Sequence, residues 1–91
     1  MRSYVAQRRG LARRLTALQD VLGAHQDAVV TQELLRDFGM RAHADGENAF
    51  TYGLLHAREH AEAQRQLTLL PRARRRAGQA RVRTFLRRSG R

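Results

Sequence analysis

Leu11, Leu15, Leu18 and Leu22 recur at i, i+4, i+7 and i+11, which at about 100° per residue places them in one narrow apolar stripe on a helix. A stripe of that kind needs a partner. Gly23 follows the last of these leucines, where a left-handed cap carries no steric cost, and Asp27 is placed to accept backbone N–H groups as the N-cap of a following helix. That helix carries Val30, Leu34 and Phe38 at four-residue spacing, widened by Val29 and Leu35, with Gly39 set to stop it. The pattern predicts a helical hairpin over residues 11–38, or one longer helix if Gly23 only kinks the chain. In the hairpin, Leu15, Leu18, Leu22, Val30 and Leu34 are the expected best-buried side chains.

Beyond Gly39 the chemistry changes. Met40 to Asn48 reads as a loop, with Asp45-Gly46 at its centre and Asp45 and Glu47 suited to the positive end of a helix dipole. A third helix then carries Phe50, Leu54, Ala57 and Ala61 on one face, continued by Leu67 and Leu70. Pro71 removes a backbone donor, so this helix ends or kinks at Leu70. A fourth segment, Arg72 to about Arg88, has Ala73, Ala77, Ala80, Val82, Phe85 and Leu86 as its apolar positions, and Gly78 and a run of like charges oppose it. No segment alternates like a strand and no repeat is visible. The expected class is all-α: an antiparallel helical hairpin or bundle of three to four helices. It divides into a basic N-terminal arm (1–10), a helical segment (11–70) and an Arg-rich C-terminal helix or tail (71–91).

The run Leu18-Gln19-Asp20-x-Leu22-Gly23-x-x-x-Asp27-Ala28-x-Val30, followed by Leu34-Leu35, closely resembles the C-terminal half of the CHAD family, the conserved histidine α-helical domain. Gly53-Leu54-Leu55-His56-Ala57-Arg58-Glu59 and the arginine-rich close look like that family's final helix. The resemblance covers roughly residues 11 to 70, and its specific part is the first dozen or so positions. It implies part of an all-helical pair of four-helix bundles that binds inorganic polyphosphate. A full domain is much longer, and the basic, histidine-bearing helices that open each half of the family have no counterpart here. The family's histidine role is therefore transferred to none of the four histidines in this chain.

Length and composition set bounds. Ninety-one residues make at most one domain, which buries only roughly 60–65% of its unfolded surface and has little margin of stability. The absence of cysteine excludes disulfides and thiolate metal sites. No apolar run is long enough to span a bilayer and the N-terminal residues lack a signal-peptide core, so the expected location is the cytoplasm, with no membrane partner. All 18 basic residues are arginine, whose planar forks bind phosphate in two-point fashion. Residues 1–19 carry five Arg and no acid, residues 20–62 three Arg against eight acids, and residues 63–91 ten Arg and no acid. The two basic ends repel one another unless a polyanion or the acidic middle lies between them.

This charge map is the main functional signal after the resemblance. Arg8, Arg9, Arg13, Arg14, Arg65, Arg72, Arg74, Arg75, Arg76, Arg81 and Arg83 are the candidate polyanion-binding residues, with inorganic polyphosphate as the expected partner and nucleic acid as the rival. Five aromatics, three of them on apolar stripes, leave few platforms for stacking bases. A further alternative is an accessory segment that completes a bundle with a second copy or a partner chain. His56-x-x-Glu59-His60 spells an inverted zinc-protease signature, but a catalytic zinc also needs a third ligand and a peptide-sized cleft. The pair reads as a polar flank beside Leu54, Ala57 and Ala61. His25 reads as a cap of the first helix. With no nucleophile–base arrangement and no glycine-rich phosphate loop, the expectation is a non-enzymatic protein without cofactor or metal.

Overall fold

The computed structural model describes residues 3–89, which form two helices, α1 (Tyr4–Ala44) and α2 (Phe50–Ser89), and no strand. The all-α class holds. The chain makes two long helices where three to four were expected, because neither Gly23, Gly39 nor Pro71 ends a helix. The residues sort into two compact units. One is built from α1 through Leu22 together with α2 from Leu69 onward, and the other is Gly23–Thr68.

Local chemistry accounts for the true ends. Ser3 Oγ accepts the Ala6 N–H at 3.1 Å and caps α1. At the other end Gly46 takes φ +76°, the Glu47 N–H bonds the Ala42 carbonyl at 2.8 Å, and the Gly46 N–H bonds the His43 carbonyl at 3.1 Å. This is a Schellman termination, which requires a left-handed residue that only glycine adopts without strain. Asn48 Oδ1 then accepts the Phe50 N–H at 2.9 Å and starts α2. The connection is thus shorter than the expected loop, and Asn48 caps α2, not the acids Asp45 and Glu47.

Packing explains why the internal glycines and the proline are tolerated. Within Gly23–Thr68 the covered positions include His25, Ala28, Gln32, Leu35, Gly39 and Ala42 on α1, and Ala49 just before α2 with Tyr52, His56, Glu59, Ala63 and Gln66 on it. In the other unit they are Leu11, Arg14, Leu18 and Val21 on α1 against Leu70, Ala73, Ala77, Ala80 and Thr84 on α2. In both units the spacing alternates between three and four residues, as for two helices meeting along a narrow seam. The most buried residues are small: Ala28, Ala42, Ala63, Ala77 and Ala80 are at most 5% exposed. A Cβ on Gly39 would stand 3.1 Å from that of Tyr52, a tight contact that a larger residue could make only by shifting the helices apart by a few tenths of an ångström. Pro71 leaves the Leu67 carbonyl without its helical donor, but its neighbours Leu70 and Ala73 are both held in the seam.

The seam is not the leucine stripe. Leu11 and Leu18 are half-buried within it, whereas Leu15, Leu22, Val30, Leu34 and Phe38 are exposed, as are Phe50, Leu54, Ala57 and Ala61 on α2. The expectation that Leu15, Leu22, Val30 and Leu34 lie deepest is therefore corrected. Two helices that meet over alanine and glycine come closer than two that meet over leucine, and the larger side chains are left to flank the contact. His25 is corrected likewise. It lies mid-helix and its Nδ1 stands 3.1 Å from the Ala63 carbonyl across the seam, instead of capping a helix end.

Gly23 lies within the helix with open space where a Cβ would be. Gly23→Ala is expected to raise stability by about 0.5–1 kcal/mol, from helix propensity and lost unfolded-state freedom, while Gly46→Ala lowers it by about 1 kcal/mol or more. Urea denaturation followed by circular dichroism measures both. A destabilising Gly23→Ala would restore the helix break.

Candidate functional site

The unit that joins the first half of α1 to the second half of α2 collects most of the positive charge. Arg14, Arg72 and Arg76 line one groove of about 330 Å3, whose floor and walls are Ala17, Val21, Leu69 and Ala73. Arg14 is half-buried in the seam, while Arg72 and Arg76 are exposed on α2. The spacing of Arg72, Ala73 and Arg76 on one helix puts the two guanidiniums on the same side, and the small residues let their stems lie close to α1. No carboxylate lines this groove. Arg72 first and then Arg14 lower the pKa of Arg76, because each disfavours a further cation nearby. Such mutual repulsion is relieved when an anion sits among the three.

Arg14 also lines a second, narrower cleft with Gln7, Gly10, Arg13, Ala80, Arg83 and Thr84. Here the Thr84 hydroxyl bonds the Ala80 carbonyl at 2.9 Å and stands 3.4 Å from the Gln7 carbonyl. Gln7 Oε1 is buried without a hydrogen-bond partner. A third groove is flanked by Arg8, Arg88, Tyr4, Leu11, Leu15 and Thr84, with the Arg8 guanidinium 5.7 Å from the centre of the Tyr4 ring.

Of the sequence candidates, Arg8, Arg13, Arg14, Arg72, Arg76 and Arg83 therefore line grooves of a single unit. Arg9, Arg74, Arg75 and Arg81 are exposed and line none of these three. Arg65 lies in the Gly23–Thr68 unit, where its Nε and Nη2 donate to the two Glu62 carboxylate oxygens at 2.9 and 2.8 Å, so its fork is occupied. Gln7 and Thr84, which also line these grooves, lie outside the sequence candidates. Only the pairing of the two helices places Gln7 beside Thr84, and nothing in the local sequence signals it.

In the Gly23–Thr68 unit, Leu35, Gly39, Met40, Tyr52 and Gly53 form an apolar groove of about 390 Å3 that His43 and His56 also line. His56 belongs to the seam and His60 is exposed, so the paired histidines of the zinc-protease pattern sit in unlike settings, and Leu54, Ala57 and Ala61 beside them form no buried face. Among the described residues no three His, Cys, Asp or Glu side chains converge as metal ligands. No described helix is long and apolar enough to cross a membrane.

Comparison with known proteins adds little to this geometry. No family model matches the chain, and no solved structure matches it. Over 48 residues, 53% of this chain, it is 46% identical to an uncharacterized protein of Mycobacterium tuberculosis strain H37Rv, and to the same extent to one of strain CDC 1551 / Oshkosh. The matched stretch is 9% of the length of each of these relatives.

The Arg65 fork and the Gln66 amide both donate to Glu62. The Arg65 bonds chiefly, and then Gln66, lower the pKa of this carboxyl from 4.5 to about 2. Because the folded value is depressed, the contact stabilises the chain above the ordinary carboxylate range and is lost as pH falls through about 2. NMR titration of the Glu62 side chain is expected to give a midpoint near that value, and Arg65→Gln should move it back toward 4.5.

Proposed function

We propose that this chain is a non-enzymatic polyanion-binding protein of the cytoplasm, that its ligand is inorganic polyphosphate, and that it does this as part of a CHAD-like domain. The observation that carries the reading is the meeting of Arg14, Arg72 and Arg76 around one groove that no carboxylate lines. The wider charge balance supports it. In sequence, fourteen arginines and the single acid Asp20 fall in the segments of the Arg-rich unit, against four arginines and seven acids in Gly23–Thr68.

A linear chain of phosphates fits this distribution better than a single phosphate does. Arg14 is shared by two clefts, so successive phosphates can be met by Arg72 and Arg76 on one side and by Arg13 and Arg83 on the other. Guanidinium forks make two hydrogen bonds to each phosphate and keep their charge at any physiological pH. These grooves offer no row of stacking rings, which favours polyphosphate over single-stranded nucleic acid. Exposed Arg74, Arg75 and Arg81 add to the field that draws the polymer in.

Each neutralised phosphate releases condensed counterions, so affinity for polyphosphate is expected to fall steeply and log-linearly with salt. Changing Arg14, Arg72 and Arg76 together to Gln should flatten that slope by about two to three units and weaken binding at low salt. The corresponding change at Arg74, Arg75 and Arg81 should do less. DNA of any sequence should compete no better than polyphosphate at matched charge. Identical slopes for wild type and the Arg14/Arg72/Arg76 variant would overturn the reading, and so would sequence-dependent DNA binding.

A further inference from the structure

Within the Gly23–Thr68 unit, α1 carries a second stripe that α2 meets only at one edge, where the Phe38 ring lies 6.4 Å from the Tyr52 ring. Asp27, Val30, Leu34, Phe38 and Arg41 fall within about 80° of one another around the helix, in a stripe centred about 100° round from Ala28, Leu35 and Ala42 and so flanking the seam. All five are exposed. The three apolar members, Val30, Leu34 and Phe38, stand 48%, 50% and 45% open to solvent. A helix with apolar groups aligned in this way gains stability only when another helix lies on them.

The stripe itself indicates what that helix is. Leu34 is at its centre, Val30 and Phe38 lie four residues to either side, and Asp27 and Arg41 seven residues to either side. A twofold axis through Leu34 sets Leu34 on Leu34 and Val30 on Phe38. It also brings the Asp27 carboxylate of each copy to the Arg41 guanidinium of the other, about 10 Å from the axis on both sides. A parallel arrangement would instead oppose Asp27 to Asp27 and Arg41 to Arg41. Among the described residues Asp27 has no ion pair in its own chain, and Arg41 lies over the Phe38 ring with its guanidinium 5.8 Å from the ring centre. Arg41 is thus already held beside the apolar part of the stripe with its charge free for an acid.

Surface area is consistent with a copy of this size. A folded monomer of 10.4 kDa exposes about 5400 Å2, whereas this chain exposes 7308 Å2. The surplus exceeds the roughly 800 Å2 per partner that a stable interface buries. The Arg-rich unit also exposes apolar side chains, Val82, Phe85 and Leu86, but its like charges oppose pairing of two copies there. We propose that two copies of the chain pair antiparallel through the Asp27–Arg41 stripe, so that two α1 segments form the centre of a four-helix assembly. This does not depend on what the Arg-rich unit binds.

Sedimentation equilibrium of the full chain, without polyanion and at about 0.15 M salt to screen the distant charges, tests it. The wild type should be a dimer. Leu34→Glu should be a monomer of unchanged helicity, because Leu34 is outside the seam. Arg41→Asp should weaken the dimer about tenfold by opposing like charges twice, and adding Asp27→Arg should restore it to within about threefold of wild type. If Leu34→Glu loses helicity, the charge exchange decides alone, since both positions are exposed. A wild type that stays monomeric overturns the proposal and leaves the stripe to a different chain. A dimer that survives Leu34→Glu, or a charge exchange that fails to restore pairing, overturns it as well.

Discussion

Everything in this fold depends on how closely two helices can approach. The contact is made over Ala28, Ala42, Ala63, Ala77 and Ala80, with Gly39 under Tyr52. Such a seam gives dense backbone-to-backbone packing but little apolar area, because no leucine, valine or phenylalanine is fully buried. The helices compensate by length. Alternating three- and four-residue contacts continue through each unit, and that continuity carries α1 across Gly23 and α2 across Pro71, where local preference alone would end a helix.

The same geometry positions the charge. A seam residue with a long stem can lie along the contact and present its head at the side, as Arg14 does between two clefts. Its neighbours on α2, Arg72 and Arg76, flank Ala73, so small residues in the contact and charged residues beside it alternate along one helix. In the Gly23–Thr68 unit the flanking positions are of mixed sign, and Glu62 neutralises Arg65 locally. One periodicity therefore serves two ends: a repulsive cluster of cations in one unit and a surface of mixed sign with an excess of acids in the other.

Sequence reasoning recovers the helical class, the uneven charge and six of the arginines that line grooves, because each is a property of composition or of helical period. It misplaces the contact surface. Leu11, Leu15, Leu18 and Leu22 are the most conspicuous apolar set, yet the helix partner selects Leu11 and Leu18 together with Arg14 and Val21. The most buried apolar positions of the seam are alanines, and a count of leucines is blind to them. A glycine and a proline inside a helix cost it about 1 and 3 kcal/mol locally, yet α1 runs on through Gly23 and α2 through Pro71. Gly46, which does end α1, follows Asp45 and takes φ +76°, whereas Gly39 stays helical beside Tyr52. Gln7 beside Thr84 and His25 beside Ala63 join residues far apart in the chain and leave no trace in either neighbourhood.

The alanine seam also governs how the protein responds to temperature. Melting two helices held together over methyl groups exposes much backbone and comparatively little hydrocarbon, and these make opposite contributions to heat capacity. The increment per residue then falls below the usual ~12–15 cal/mol/K, which flattens the curve of stability against temperature. Cold weakens such a fold little, since it has little hydrophobic driving force to lose. Its enthalpy of unfolding is that of breaking helix hydrogen bonds and changes only slowly on heating.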